Sequence, residues 1–341
     1  MHDTDQARDR ERDRWTAAAT GAEPEDIRPA SADASFRRYF RVPVAGGTRI
    51  VMDAPPGRED CRPYVAVAAL LAAAGVHAPR VLAQDVERGF LLLTDLGTRT
   101  YLDALRAPGG AAAAADLYRD ALSALVRMQS IDAASLPVYD RVLLLRELQL
   151  FPDWYVTRHC GHRLDAGERE RLAALFERIV AVNLAEPRVF VHRDYHSRNL
   201  MVSDPNPGVL DFQDAVRGPI SYDLVSLLKD AYVEWPEERT LDWAVRWWQQ
   251  AKRAGLPVRA DFGEFYRDYE WMGAQRHLKV LGIFARLWHR DAKPGYLADL
   301  PRVAGQLRRT CRRYAGLAPL LPLLDRLDER LASSGPAPRL P

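Results

Sequence analysis

The chain has 341 residues, 48% of them hydrophobic, and a formal net charge of +2 from 48 Lys plus Arg against 46 Asp plus Glu. That length supports one large two-lobed domain or two ordinary ones with a real core, and the small charge, spread without a dense basic run, argues against nucleic acid as a partner. Cys61, Cys160 and Cys311 are odd in number and far apart, and no apolar leader or membrane-length segment stands out, so the expectation is a cytoplasmic protein that does not engage a membrane.

In chain order, residues 1 to about 20 are charged and read as an exposed helix. Strands follow at 39–42, 49–54, 81–84 and 90–93, with a helix over 62–74 set before the last pair. The turn at 45–48 joins the first two strands as a hairpin, and Gly75 caps the helix. From Tyr101 the periodicity becomes helical, with helices expected over 112–128, 166–182, 239–254, 265–287 and 301–314. Short apolar strands at 188–191, 200–202 and 209–212, with a turn at 205–208, are the only β signal in this part, and residues from 333 on read as a frayed tail.

Those last strands frame the stretch that carries chemistry, Phe190-Val-His192-Arg-Asp194-Tyr-His196-Ser-Arg-Asn199, followed by Val209-Leu210-Asp211-Phe212. Phosphoryl transfer needs a carboxylate that accepts a hydroxyl proton and an amide that holds a metal on one short loop, and His-x-Asp-x-x-x-x-Asn puts Asp194 and Asn199 at that spacing. Asp211, expected at a strand end before Phe212, supplies the second metal-binding group. His192 and His196 also have the i, i+4 spacing of a zinc pair, but the adjoining Glu of that motif is missing.

The small β lobe, a connector at 93–97 and a helical lobe carrying these motifs resemble the aminoglycoside phosphotransferase and choline kinase group. That resemblance implies an α+β, bilobal protein-kinase-like fold, with a small β-sheet N-lobe binding nucleotide over 20–95 and a mainly helical C-lobe over 96–332 for catalysis and substrate. Four stretches, at 33–41, 52–56, 146–155 and 275–286, are further similar to the kinases that phosphorylate the anomeric hydroxyl of N-acetylmuramate and N-acetylglucosamine in peptidoglycan recycling. The resemblance therefore implies ATP and Mg²⁺ as cofactors and a small amino sugar as acceptor, with Asp194 as base and Asn199 and Asp211 on the metal. It also makes Asp223, in Ser221-Tyr-Asp223, the anchor of the catalytic loop.

The first lobe departs from the kinase pattern. Lysine occurs only at positions 229, 252, 279 and 293, so the phosphate-gripping Lys of the third strand is absent, and Asp53 stands near its place. An arginine can replace it, because a guanidinium meets phosphate oxygens bidentately; Arg37, Arg38 and Arg41 are the candidates, with Arg38 first and Asp53 as its orienter. Ser35, Leu93 and Asp95 complete the expected nucleotide contacts. For the acceptor, Glu147, Asp153, Trp154, Tyr155 and Arg276 are the candidate contacts. Residues 229–341 hold 20 Lys plus Arg against 14 Asp plus Glu, which disfavours a polycationic aminoglycoside. Two alternatives stay open: a phosphotransferase for another small alcohol or an aminoglycoside, and a nucleotide-binding pseudokinase.

Overall fold

The structure, a computed structural model, describes residues 2–32 and 36–333; Ser35 and nearly all of the expected tail lie outside the described residues. The chain forms two compact units: residues up to Ala113 with Arg198–Ala215, and Ala114–Ser197 with the residues from Val216 on.

The first unit opens with α1 (His2–Thr20) and then builds a five-stranded antiparallel sheet from β1 (Arg28–Ala32), β2 (Arg38–Val44), β3 (Gly47–Asp53), β4 (Val81–Asp85) and β5 (Phe90–Thr94), in the order β1-β2-β3-β5-β4. α2 (Arg62–Ala73) lies between β3 and β4 and α3 (Tyr101–Arg106) follows the sheet. Gly46, at φ 82°, turns β2 into β3, and Gly75, at φ 67°, follows α2 as its cap; both positions favour a residue without Cβ.

Strand register assigns the sheet's two faces. Arg38 pairs with Asp53, Phe40 with Val51 and Val51 with Leu92, so these share one face; Tyr39, Arg41, Ile50, Met52, Leu91 and Leu93 share the other. α1 covers the first face. Trp15 stacks on Phe90 at 5.6 Å, the Arg12 guanidinium lies 3.9 Å from the Phe40 ring centre, and Trp15 and Phe40 pack on a cluster of Ile27, Val42, Val51 and Leu92. The helix expected in solvent is therefore half sunk into the unit, held largely by arginine stems and guanidinium faces that a polarity pattern counts as exposed. The segment 198–215 contributes a short ladder, Leu200–Met201 with Gly208–Val209, so the second strand stops short of the expected 209–212.

The second unit is helical: α4 (Gly110–Gln129, from Ala114), α5 (Arg141–Leu150) running into a π-helical stretch Phe151–His159, α6 (Ala166–Leu184), α7 (Tyr222–Leu228), α8 (Glu237–Arg253), α9 (Phe262–His289), α10 (Leu300–Arg313) and α11 (Leu321–Ser333). β6 (Arg188–Val191) pairs antiparallel with β7 (Val216–Pro219). The 28-residue α9 forms the centre, buried almost continuously from Asp268 to Ala285. A Cβ at Gly282 would lie 2.4 Å from the Leu150 carbonyl carbon, so glycine lets α9 press against the end of α5. Among the described residues no helix is long and apolar enough to cross a membrane.

Candidate active site

β6 ends in a loop whose backbone is fixed before its side chains act. Asp223, in the first turn of α7, accepts from the backbone N–H of His192 at 2.6 Å and of Arg193 at 3.0 Å. Burial pushes its carboxyl up to about 6, against the opposing pull of His192 and those two N–H groups. The Asp194 N–H donates to His192 Nδ1 at 3.2 Å, so His192 serves the loop. Arg193 has φ 77°, an uncommon conformation for a residue with a Cβ, and its carbonyl accepts from Arg276 Nη1 at 3.2 Å. Further along, the Ser197 N–H is held by Asp230 Oδ2 at 2.9 Å.

Asp194 itself is enclosed. Burial opposes its charge, but Lys279, and then His196, Arg276 and Arg193, outweigh that and hold the carboxyl well below the usual range. Neighbouring His196 is pushed down to about 4, chiefly by burial, and is neutral near pH 7. The result is an ionised, weakly basic carboxylate.

In the first unit, Asp211 is the centre of a second cluster. It sits at φ 62°, two residues beyond the strand that ends at Val209, which corrects the expectation that it terminates a strand. Gln213 Nε2 donates to Asp211 Oδ1 at 2.8 Å and Asn199 Nδ2 to Oδ2 at 3.3 Å, while the Leu210 N–H bonds the Asn199 carbonyl at 2.9 Å. Phe212 packs on Tyr64 of α2 with ring centres 4.6 Å apart. The donor set suits a hard divalent ion: one carboxylate and one amide oxygen, reached by turning the Asn199 amide. Among the described residues no group of three or more His, Cys, Asp or Glu is placed to hold a metal ion by itself, so an ion here would need further oxygens from phosphates and water, as Mg²⁺ takes.

The three candidate arginines separate. Arg38 Nε meets Asp53 Oδ2 at 3.1 Å, on the face covered by α1, and the fully buried Asp53 also takes Arg8 of α1 at 2.7 and 3.0 Å. Arg41 is bound to Asp95 Oδ2 at 2.5 Å and to the Gly97 carbonyl at 2.9 Å, and Asp95 further accepts from Thr48 and the Gly97 N–H, so this group staples the connector. Arg37 goes elsewhere: its Nη2 lies 3.6 Å from Asp211 Oδ1. Leu93 is buried on the sheet face opposite α1.

The acceptor candidates also diverge. Tyr155 is 3% exposed and stacked between Phe151 and His159, so it presents no open ring face to a sugar; Trp154 is half-buried, and the exposed Asp153 accepts from Gln149 at 2.9 Å. Arg276 and Glu147 belong to the buried network around Asp194. Sequence reasoning passed over Arg193, Tyr139, Gln213 and Arg8; Arg193 lies inside the motif, but nothing in its identity signals a left-handed backbone.

A loop carboxylate ringed by cations, with an Asp–Asn pair just downstream on the chain, is the equipment of a kinase-type phosphotransferase. The chain belongs to the phosphotransferase enzyme family (APH), which it matches over residues 26–262. It is 54% identical over 307 residues to the N-acetylmuramate/N-acetylglucosamine kinase of Pseudomonas aeruginosa, covering 90% of each chain, and 51% identical over 300 residues to that of Pseudomonas putida, covering 88% of this chain and 87% of the relative. Its fold is similar to that of the ADP-bound aminoglycoside phosphotransferase APH(2'')-Ib, with a TM-score of 0.59 at 15% identity over 88% of this chain and 98% of the other.

Proposed function

We propose that this enzyme transfers the γ-phosphate of ATP to the anomeric hydroxyl of N-acetylmuramate and N-acetylglucosamine, in the cytoplasm, as a step of peptidoglycan recycling. The observation that carries the reading is Asp194: a buried carboxylate kept ionised by Lys279, Arg276 and Arg193, on the loop that leads to Asn199. The likeness to the two named kinases, over nearly the whole chain, supports the choice of sugar.

In this reading Asp194 orients the C1 hydroxyl and takes its proton. A hemiacetal hydroxyl is more acidic than an ordinary alcohol, so a weak base suffices. Asp211 and Asn199 hold Mg²⁺, which when bound offsets charge on the phosphates. Residues 20–95 take the nucleotide, with adenine near Leu93 and the connector at Asp95, and residues 96–332 take the acceptor, with Arg276 within reach of the reacting hydroxyl. Arg37 supplies the cation that the missing lysine would have given. Arg38 and Asp53 instead fasten α1 to the sheet.

Incubation with MgATP and N-acetylglucosamine, read by ³¹P NMR, tests this. The expected product is a C1 phosphate, with the 1-deoxy sugar refused. Phosphate on another hydroxyl, or efficient phosphorylation of kanamycin-type aminoglycosides, overturns the assignment. Intact MgATP binding with no acceptor turned over points to a pseudokinase.

A further inference from the structure

We propose that Glu147 is a positioning residue of the catalytic loop, acting on Asp194 through Arg193 and Lys279, and that it does not contact the acceptor. The proposal rests on the phosphotransfer reading, in which Asp194 is the base.

Glu147 lies on α5 and is 5% exposed. Its Oε1 takes Arg193 Nη2 at 2.7 Å and Lys279 Nζ at 3.0 Å; its Oε2 takes the Tyr139 hydroxyl and Gln275 Nε2 at 3.2 Å. A carboxylate has about four acceptor sites, and these four donors fill them, so no lone pair is left for a sugar hydroxyl. Lys279 is held from a second side by the Tyr222 hydroxyl at 2.9 Å.

The consequence for Asp194 follows from connectivity and charge. Arg193 is pinned at three points: its N–H on Asp223, its carbonyl on Arg276 and its guanidinium on Glu147. Together they hold the left-handed backbone from which the chain turns into Asp194. Three cations, Arg193, Arg276 and Lys279, act on Asp194, and Glu147 is the anion that satisfies two of them. Without it, both lose their anion, and their charge bears more strongly on Asp194, on which they already act. The base would then be less basic and drawn out of line, because uncompensated buried charges interact strongly in a medium that screens poorly.

The test uses the full-length enzyme at saturating MgATP, with whichever acceptor the wild type phosphorylates. Glu147→Gln is expected to lower kcat by about tenfold or more while the acceptor KM stays within about twofold. Removing the cation together with the anion, in Glu147→Gln/Lys279→Met, is expected to regain part of that kcat, a rescue that a lost sugar contact would not show. Should Glu147→Gln alone fail to fold by circular dichroism, the charge-balanced double variant and Tyr139→Phe carry the test, each with lowered kcat and unchanged KM. A raised acceptor KM at unchanged kcat in any folded variant, wild-type kcat in Glu147→Gln, or a double variant no faster than the folded single overturns the proposal. Wild-type turnover on an acceptor other than an N-acetylhexosamine would sink the choice of sugar and leave this comparison intact.

Discussion

The division of labour among the arginines of the first unit makes the sharpest quantitative prediction, a contrast between Arg37→Met and Arg38→Met. If Arg37 grips the nucleotide phosphates, its removal forfeits a hydrogen bond to a charged group, about 1.5–3 kcal/mol, which is about tenfold to about 150-fold in MgATP affinity. Arg38 points to the other face of the sheet, opposite Asp53 and under α1. Asp53 keeps Arg8 at 2.7 and 3.0 Å when Arg38 is lost, so the cost falls on stability and is partial, about 1–2 kcal/mol for a buried acceptor left with one partner of two. Calorimetry with MgATP and with adenosine, alongside urea unfolding, separates the two. Arg37→Met is expected to weaken MgATP and spare adenosine; Arg38→Met is expected to lower the urea midpoint and spare both ligands. Wild-type MgATP affinity in Arg37→Met, or weakened MgATP at unchanged stability in Arg38→Met, would refute the assignment of faces to functions.

Asp194→Asn is expected to cost about 10²–10⁴ in kcat, the usual range for a lost general base, while MgATP affinity in calorimetry stays near wild type; kcat within about threefold of wild type would remove Asp194 from that role. Asp211→Ala and Asn199→Ala should weaken Mg²⁺-nucleotide binding and turnover together, Asp211 the more because it brings a charge, and a titration showing equal loss in both variants would argue against that ranking. Gly282→Ala is expected to destabilise the protein by about 1–3 kcal/mol in chemical unfolding, since its Cβ would press on Leu150 backbone with no flexible side chain to give way, and an unchanged midpoint would show that α9 and α5 can separate cheaply.

Elements whose period spans several turns were legible in the sequence, as α4, α6, α8, α9 and α10 show, and so were the four strands β2 to β5. What escaped has physical reasons. β1, Arg28-Pro-Ala-Ser-Ala, carries no large apolar residue, so no alternation marks it in the sequence; its pairing with β2 defines it. α7 is seven residues long and buried throughout, so no polar face marks it. The stretch Phe151–His159 opens with Pro152 near its start and adopts π-helical spacing, its end marked by the Cys160 N–H bonding the Tyr155 carbonyl five residues back at 2.9 Å, a period that a 3.6-residue template cannot find. The motif residues stand out in the sequence because the chemistry proposed for them fixes their spacing; Glu147 from α5 and Lys279 and Arg276 from α9 meet around the loop only through tertiary packing.

Under the proposed function, charge connects the catalytic loop to the choice of acceptor. Asp194 is kept ionised by cations that are themselves mostly satisfied: Lys279 and Arg193 by Glu147, and Arg276 by the Arg193 carbonyl and the Tyr222 hydroxyl. Under the proposed function, such a surrounding would tolerate negative charge building up on a transferring phosphoryl group, because the cations are already in place and need no reorganisation. It also discriminates among acceptors. An aminoglycoside would bring several ammonium groups toward Lys279, Arg276 and Arg193, with Asp194 itself needed for the reacting hydroxyl and Glu147 buried and fully occupied. A neutral N-acetylated sugar would meet no such repulsion. If Asp194 is the base, the arrangement that weakens it would suffice for an acidic C1 hydroxyl and disfavour a polycation, so proton transfer and acceptor selection would draw on one set of charges.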